Sequence, residues 1–268
     1  MRRHLTLLAI LLLAACEQGG GNAATTPGAA KPDLAAASAA AQKAADQFAG
    51  LTKVSGTSGQ VPRATDPTAG PLLDAIFDTS ALPATPPSFD AIGDVNGWLG
   101  AVVKTGQVYV LAGAGDAAVP NPEMGAIANK NMIAYAPEVG RYFDAQLALM
   151  GEESPMLAQF AADNPDSMKD PKRAAGLTQA RNGVAQTLSS IIAALAVPGL
   201  TDDWRRARIK AMIAMTPKAA QLLTPDLRTL VQLEAQQAIA ATTDPELKGE
   251  LSQVSTLIVP TAAPGAAP

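Results

Sequence analysis

Apolar residues recur at intervals of three and four along most of the chain, and this spacing predicts helices. The clearest stretch alternates steps of four and three between Leu177 and Leu195. Such a seam is typical of helices that pack side by side as in coiled coils. An earlier helix shows the same spacing between Ile92 and Val102. These patterns favour an all-α protein.

Polar residues followed by proline mark where many of these helices begin. Asp170-Pro171, Thr224-Pro225 and Asp244-Pro245 each combine a capping side chain with a proline that suits the first turn. From them we predict helices through about residues 196, 241 and 258. The same reasoning starts a helix at Pro137 and a short, separate helix at Ser154-Pro155, and it places Thr201 as a further N-cap.

These signals predict one antiparallel bundle of about seven or eight helices, spanning residues 71–258. The segment 107–111 is ambiguous, because its β-branched and aromatic residues suit a strand. Since no second strand is available to pair with it, we interpret the segment as a continuation of the preceding helix.

The ends of the chain have a different composition. Residues 17–32 and 55–70 are rich in Gly, Ser, Thr, Ala and Pro, which is typical of flexible tethers. The alanine-rich stretch from Leu34 to Leu51 is interpreted as a spacer helix or a loosely docked first helix. Residues 259–268 are expected to be a disordered tail.

The first sixteen residues carry the most specific motif. Arg2 and Arg3 precede residues 5–13, which are almost all apolar, and Leu13-Ala14-Ala15-Cys16 follows directly. An apolar stretch of this length is about half of what spans a bilayer, so it is typical of a cleaved signal. The layout resembles the signal peptide of bacterial lipoproteins.

The resemblance implies that residues 1–15 are removed and that Cys16 carries lipid, which would anchor the chain to a bilayer. Glu17, and not Asp, follows the cysteine. In Gram-negative lipoproteins, an Asp at that place typically retains the protein in the inner membrane. We therefore expect the periplasmic face of the outer membrane.

Composition excludes several kinds of chemistry in the body of the protein. His4 and Cys16 are the only histidine and cysteine. The body therefore lacks the residues for a Ser-His-Asp triad, a Cys-His pair, a Cys/His zinc site or a disulfide. We expect no metal and no cofactor. Loss of residues 1–15 would change the net charge from −4 to −6, which argues against nucleic acid as a partner.

One weak motif suggests an enzyme. Glu153-Ser154, followed by the run from Gly176 to Gln179, is similar to the Glu-Ser and Gly-Leu-Met-Gln motifs of lytic transglycosylases, with Thr178 in place of the methionine. In that family the glutamate is the general acid, so the resemblance implies this role for Glu153. The interpretation that we favour from the sequence is that Glu152 and Glu153 form an exposed helix end.

Two other motifs have ordinary interpretations. Gly113 to Ala118 matches a G-x-G-x-x-A pattern, but a proline-containing segment follows at once, so a loop between helices is favoured over a dinucleotide site. The run from Trp204 to Lys210 holds four positive residues, which scatter around a helix. We expect a solvated helix there, with Trp204 packed inward.

Two charged residues fall within predicted apolar faces. Arg181 lies in the seam that runs from Leu177 to Leu195, and Glu234 lies in the apolar face of the helix that begins near Thr224. A charge in such a place is costly unless it is paired. Arg181 and Glu234 are therefore candidate buried polar anchors, and one hypothesis is that they bond to each other. The interpretation that we favour is that each side chain extends to the rim.

Three functions remain open at this level. The favoured hypothesis is a non-enzymatic envelope lipoprotein whose helical domain binds another envelope protein or helps an assembly. The second is a peptidoglycan-cleaving enzyme that uses Glu153. The third is a binder of a small apolar ligand between helices, in a cavity lined by methionine and leucine.

Overall fold

The protein is described by a computed structural model that covers residues 33–55, 61–85, 87–114 and 123–259. This part of the chain forms nine α-helices and no strand, which confirms the all-α prediction. One continuous hydrophobic core draws buried residues from all nine helices. The helices are α1 (Leu34–Ser55), α2 (Ala69–Phe77), α3 (Ile92–Val110), α4 (Met124–Ala134), α5 (Ala136–Asp163), α6 (Pro171–Leu195), α7 (Asp202–Ala219), α8 (Pro225–Ala241) and α9 (Pro245–Ile258).

The polar residues expected to begin helices do so through their side chains. Asp170, Thr201 and Thr224 accept hydrogen bonds from backbone N–H groups in the first turns of α6, α7 and α8. Asp244 does the same for α9, whose end at Ile258 is as predicted. Each such cap satisfies a donor that helix geometry leaves without a partner and contributes about 1 kcal/mol.

The ambiguous segment 107–111 continues α3 almost to its end, as interpreted from the sequence. Its aromatic residue explains why. Tyr109 is fully buried, and its ring lies 5.8 Å from that of Phe48 and 5.4 Å from that of Tyr135. Packing between helices therefore outweighs the modest strand propensity of the segment.

The prediction of a separate helix starting at Pro155 is wrong. Pro155 lies inside α5, a single helix of 28 residues. Proline removes one N–H donor, and its ring crowds the preceding turn, so it normally ends or kinks a helix. Here the turns on both sides are buried against neighbouring helices, from Met150 to Met156, and that packing holds the helix together across the proline.

The expected spacer helix is instead part of the core. Phe48 of α1 is 1% exposed, and Ala41, Ala44 and Ala45 are also buried. Small alanines allow α1 to lie very close to α3: a Cβ added at Gly97 would come within 2.5 Å of the Gln42 amide nitrogen. The sequence interpretation missed this contact because it looked for large apolar residues, and an alanine face buries by close approach.

The order of contacts shows how the helices run. α3 and α5 are antiparallel, since Gly106 lies against Tyr142 and Phe89, just before α3, stacks on Phe160. α1 and α3 are parallel: Ser38 bonds to the backbone of Asp94, and Lys104 pairs with Asp46. α5 and α7 are parallel as well. The bundle thus includes two parallel pairs of helices. One helix lies between the members of each pair in the chain, α2 in the first pair and α6 in the second.

Candidate functional site

The centre of the molecule is the middle of α5, where three consecutive polar residues are buried. Glu152, Glu153 and Ser154 are each at most 3% exposed. Successive helix residues point about 100° apart, so burial of all three means that neighbours surround α5 at this level. Over its whole length, α5 contacts α3 and α7 most extensively. This is the strongest concentration of buried acidic groups in the described part of the chain.

A glycine allows α7 to approach α5 closely at this level. A Cβ added at Gly151 would lie 2.9 Å from the sulfur of Met215, closer than such atoms can pack without a shift. Farther along the same interface, Gly140 lies against Arg208 and the Trp204 indole. The indole N–H of Trp204 donates to the backbone oxygen of Ala136. The two glycines therefore allow α5 and α7 to pack closely at both levels.

Glu152 is paired within the protein. The Lys218 ammonium of α7 lies 2.7 Å from one carboxylate oxygen of Glu152. The other oxygen of Glu152 is buried without a hydrogen-bond partner among the described residues. This ion pair joins α5 to α7. Loss of Lys218 would leave the buried Glu152 carboxylate without its partner, which would be strongly destabilising.

Glu153 is different, because no cation pairs with its carboxylate among the described residues. The side chain is 2% exposed, and one carboxylate oxygen is buried without a partner in the described part of the chain. Burial raises the pKa of Glu153 to about 7 from its ordinary value of 4.5. The group is therefore largely protonated in mildly acidic conditions. The expectation of an exposed helix end at Glu152 and Glu153 is wrong, because α5 continues past Pro155.

A third buried carboxylate, which the sequence did not single out, attaches the segment before α2. Glu138 accepts a hydrogen bond from the Ala64 backbone N–H at 3.0 Å and from the Arg63 guanidinium at 3.3 Å. Arg63 also lies over the Tyr135 ring. The Tyr109 hydroxyl donates to the Pro62 backbone oxygen at 2.7 Å. Residues 61–68 are thus docked, which corrects their interpretation as part of a linker.

The basic run at the start of α7 is used inside the fold. Arg205 donates to the backbone oxygens of Leu195 and Val197, which satisfies the end of α6. Arg206 pairs with Asp244 and Glu246 at the start of α9, and the contacts raise the pKa of Arg206. Trp204 packs inward, as expected, but Arg205 and Arg206 serve as links between helices.

Arg208, in the next turn, makes the strongest of these links. Its guanidinium binds both carboxylate oxygens of Asp144 on α5 and lies over the Trp204 ring. Burial raises the pKa of Asp144, although Arg208 opposes this shift. A bidentate arginine–carboxylate pair fixes both side chains in one geometry. The expectation of a simple solvated helix is therefore corrected for Arg208 as well.

The proposed pairing of Arg181 and Glu234 is not observed. Both side chains are half-buried, and no ion pair joins them in the described residues. The Nε of Arg181 is nonetheless buried without a hydrogen-bond partner there. The apolar positions of the seam around Arg181 are as predicted, since Val184, Leu188 and Ile191 are buried in α6.

The structure describes some of the remaining candidate residues and not others. Cys16 lies outside the described residues, as does most of the Gly113–Ala118 pattern, although Gly113 itself adopts a positive φ of 74° just after α3. Met212 is fully buried, and Met215 packs on Gly151, so both serve the contact between α7 and its neighbours. In the described ranges, no group of three or more His, Cys, Asp or Glu side chains could hold a metal ion.

Two further findings concern membrane-spanning helices and similarity to known proteins. None of the described helices combines the length and apolar character needed to cross a membrane. No protein-family model, no curated protein and no solved structure matches this chain at a significant level.

Proposed function

We propose that this protein is a lipoprotein of the bacterial envelope, held by an acylated Cys16 at the periplasmic face of the outer membrane. Its helical domain would bind another envelope protein and catalyse no reaction. The observation that carries the anchor is the Leu13-Ala14-Ala15-Cys16 motif directly after a short apolar run and two arginines. Lipid chains on one residue suffice to hold a soluble domain at a membrane.

The arrangement of charges in the domain supports a binding role over a catalytic one. The buried carboxylates Glu138 and Glu152 form ion pairs with Arg63 and Lys218, respectively. Arg208 forms an ion pair with Asp144. These groups hold helices and segments together. A group engaged in this way is not free to exchange protons with a substrate, because breaking its pair would leave a buried charge alone.

A second candidate, a peptidoglycan-cleaving enzyme, is favoured by one observation. A general acid works best when its pKa lies near the working pH, and the pKa of Glu153 is raised to about 7. Its burial is the argument against this role. A general acid must come within hydrogen-bond distance of the glycosidic oxygen, and a carboxyl that is 2% exposed inside the bundle is not open to a polysaccharide.

The anchor is tested by changing the cysteine alone. We expect the natural protein to sediment with membranes and to incorporate a labelled fatty acid, and Cys16→Ser to lose both properties. The matched control is Thr178→Ala, a change at an exposed position of α6 away from the signal, which should leave both properties intact. Membrane association of Cys16→Ser equal to that of the natural protein would contradict the anchor.

The absence of catalysis is tested on purified peptidoglycan. We expect incubation with the protein to release no soluble saccharide fragments, measured by mass spectrometry, over a range of pH from 5 to 8. Release of fragments by the natural protein that Glu153→Gln abolishes would establish the enzyme and refute the binding role. Glu152→Gln serves as the control for damage to the same turn.

A further inference from the structure

The side of α5 that carries Glu153 faces α3. Tyr142, eleven residues before Glu153, lies against Gly106 of α3, because a Cβ added at Gly106 would overlap the Tyr142 ring. Eleven residues make about three turns of an α-helix, so Glu153 and Tyr142 point in the same direction. Phe160, seven residues farther along, stacks on Phe89. The contact with α3 and with the segment before it therefore continues past Glu153.

Asn96 is the polar residue of α3 at this level. Because α3 and α5 are antiparallel, the position opposite Glu153 lies eleven residues before Gly106, and it is Val95, which is fully buried. Asn96 comes next in the chain and is half-buried. Since successive helix residues point about 100° apart, the Asn96 side chain lies at the edge of the contact between the helices. It is there within reach of the long side chain of Glu153.

Each of these two residues has a buried oxygen that no protein group bonds. The Oε1 of Glu153 and the Oδ1 of Asn96 are both shielded from solvent and have no hydrogen-bond partner among the described residues. Buried polar atoms nearly always have a partner, either a protein group or ordered water. When Glu153 is ionised, both oxygens are acceptors, so neither can satisfy the other. A small molecule with two donor hydrogens would satisfy both.

We propose that α3 and α5 bind one ordered water molecule between Glu153 and Asn96. Water can donate two hydrogen bonds and accept others, so it suits both states of the carboxyl. With the carboxylate ionised, the water donates to Glu153 Oε1 and to Asn96 Oδ1. With the carboxyl protonated, its O–H donates to the water, which still donates to Asn96. Because Asn96 is half-buried, the water lies at the edge of the core and can exchange with solvent. Glu153 can thereby lose or regain its proton while α5 stays folded.

The surrounding charges favour water over a cation at this site. The charged residues nearest this level on α3, α6 and α7 are Asp94, Arg181 and Lys218. Burial is the sole cause of the raised pKa of Glu153, so none of the three acts on its carboxyl. Lys218 pairs instead with Glu152. Two oxygens are also too few to hold Ca²⁺ or Mg²⁺, which take six or more oxygen ligands.

A high-resolution crystal structure of the lipidated full chain in detergent tests the site directly. We expect an ordered water about 2.7–3.2 Å from a carboxyl oxygen of Glu153 and from the Oδ1 of Asn96. A direct bond between the two side chains, with no water between them, would overturn the inference. An ion bound at the same place would overturn it as well. The test does not depend on the proposed function, because a chain without lipid on Cys16 would contradict the anchor and leave the water site untouched.

Infrared difference spectra give a second measure of the same site. The spectrum of the natural protein minus that of Glu153→Gln isolates the carboxyl band of Glu153 in mildly acidic solution. Asn96→Leu removes the acceptor and fills the space of the water. This change should move the band to higher frequency and raise the pKa of Glu153 by about one unit, so that the carboxyl is tenfold less ionised at a given pH.

The control for this experiment is another buried polar atom of α3. Thr105→Val removes a hydroxyl that is also buried without a partner in the described part of the chain, nine residues from Asn96. This variant should change neither the carboxyl band nor the pKa of Glu153. Asn96→Ala, a smaller change that suits a helix, should shift both in the same direction as Asn96→Leu and replaces it if the leucine variant does not fold. A band and a pKa that both Asn96 variants leave unchanged would refute the water site.

Discussion

Replacement of Glu153 by glutamine should make the protein more stable at neutral and alkaline pH. Glu153 is buried, and its pKa rises from 4.5 in the unfolded chain to about 7 in the folded protein. Above pH 7 the folded state must hold a buried charge that the unfolded state leaves in water. Since one pKa unit corresponds to ~1.4 kcal/mol, this burial destabilises the fold by about 3 kcal/mol.

The sign of the pH dependence follows from the same linkage. Below pH 4.5 the carboxyl is protonated in both states, and it makes no difference to the free energy of unfolding. Between pH 4.5 and 7 the unfolded state loses the proton first, so stability falls as the pH rises. Glutamine has nearly the same shape and no charge. The advantage of Glu153→Gln should therefore be small at pH 4.5 and reach about 3 kcal/mol at pH 8.

Urea unfolding followed by circular dichroism, at intervals from pH 4.5 to 8.5, measures this difference directly. Glu152→Gln is the matched control, because it is the same substitution one residue earlier, where the carboxylate pairs with Lys218 at 2.7 Å. That variant should be less stable than the natural protein at pH 8. An effect of Glu153→Gln that is constant across the pH range, or destabilising at pH 8, would refute the reasoning.

Three further substitutions test the packing. Gly151→Ala should cost about 1–3 kcal/mol of stability, because the new methyl would lie 2.9 Å from the Met215 sulfur. Gly183→Ala is the control on α6: nothing lies within 4 Å of the new methyl, so this change should be neutral or stabilising by up to ~1 kcal/mol. Thermal melts compare the two variants. Phe48→Ala should lower the free energy of unfolding by about 3–5 kcal/mol, since Phe48 is buried, and an effect near zero in chemical denaturation would show that α1 is undocked. Tyr109→Phe should cost about 1 kcal/mol and increase proteolysis near residues 61–68, because it removes the bond to Pro62; unchanged cleavage there would contradict the docking.

Helix starts were predictable because their signals are local. A capping side chain and the proline after it act within one turn, as Asp170 and Asp244 do, and the sequence places them at fixed positions. The inner face of α6 was also predictable, since a seam of apolar residues needs only the helical period. These features gave the fold class and most helix bounds after residue 123.

The contacts between distant segments were not predictable in the same way. The break expected at Pro155 follows from local chemistry, and only burial of the flanking turns overrides it. The docking of α1 depends on a close approach to Gly97 that no pattern in residues 34–51 reveals. The burial of Glu153 also depends on distant contacts. The local sequence around Glu153 fits an exposed helix end as well as the middle of a helix that neighbours surround. The raised pKa of Glu153 follows from that burial.

The pairing of charges shows the same limit. Arg208 and Asp144 are 64 residues apart in the chain, and Glu138 meets Ala64 across 74 residues. The scatter of four positive residues around the helix predicted a solvated surface for the basic run that begins at Trp204. The parallel arrangement of α5 and α7 instead brings Arg208 to Asp144. Arg205 reaches the end of α6, and Arg206 reaches the start of α9. Parallel pairing could not be deduced from short connections, which favour antiparallel neighbours.

The central claim is that a folded helical domain is attached to a membrane through one lipid-bearing cysteine. The most direct test is the intact mass of the natural protein, extracted from its own envelope in detergent and measured together with its N-terminal peptide. We predict a chain that begins at Cys16 and carries added acyl groups on that residue. A chain that retains residues 1–15, or one that starts elsewhere with Cys16 unmodified, would contradict the claim.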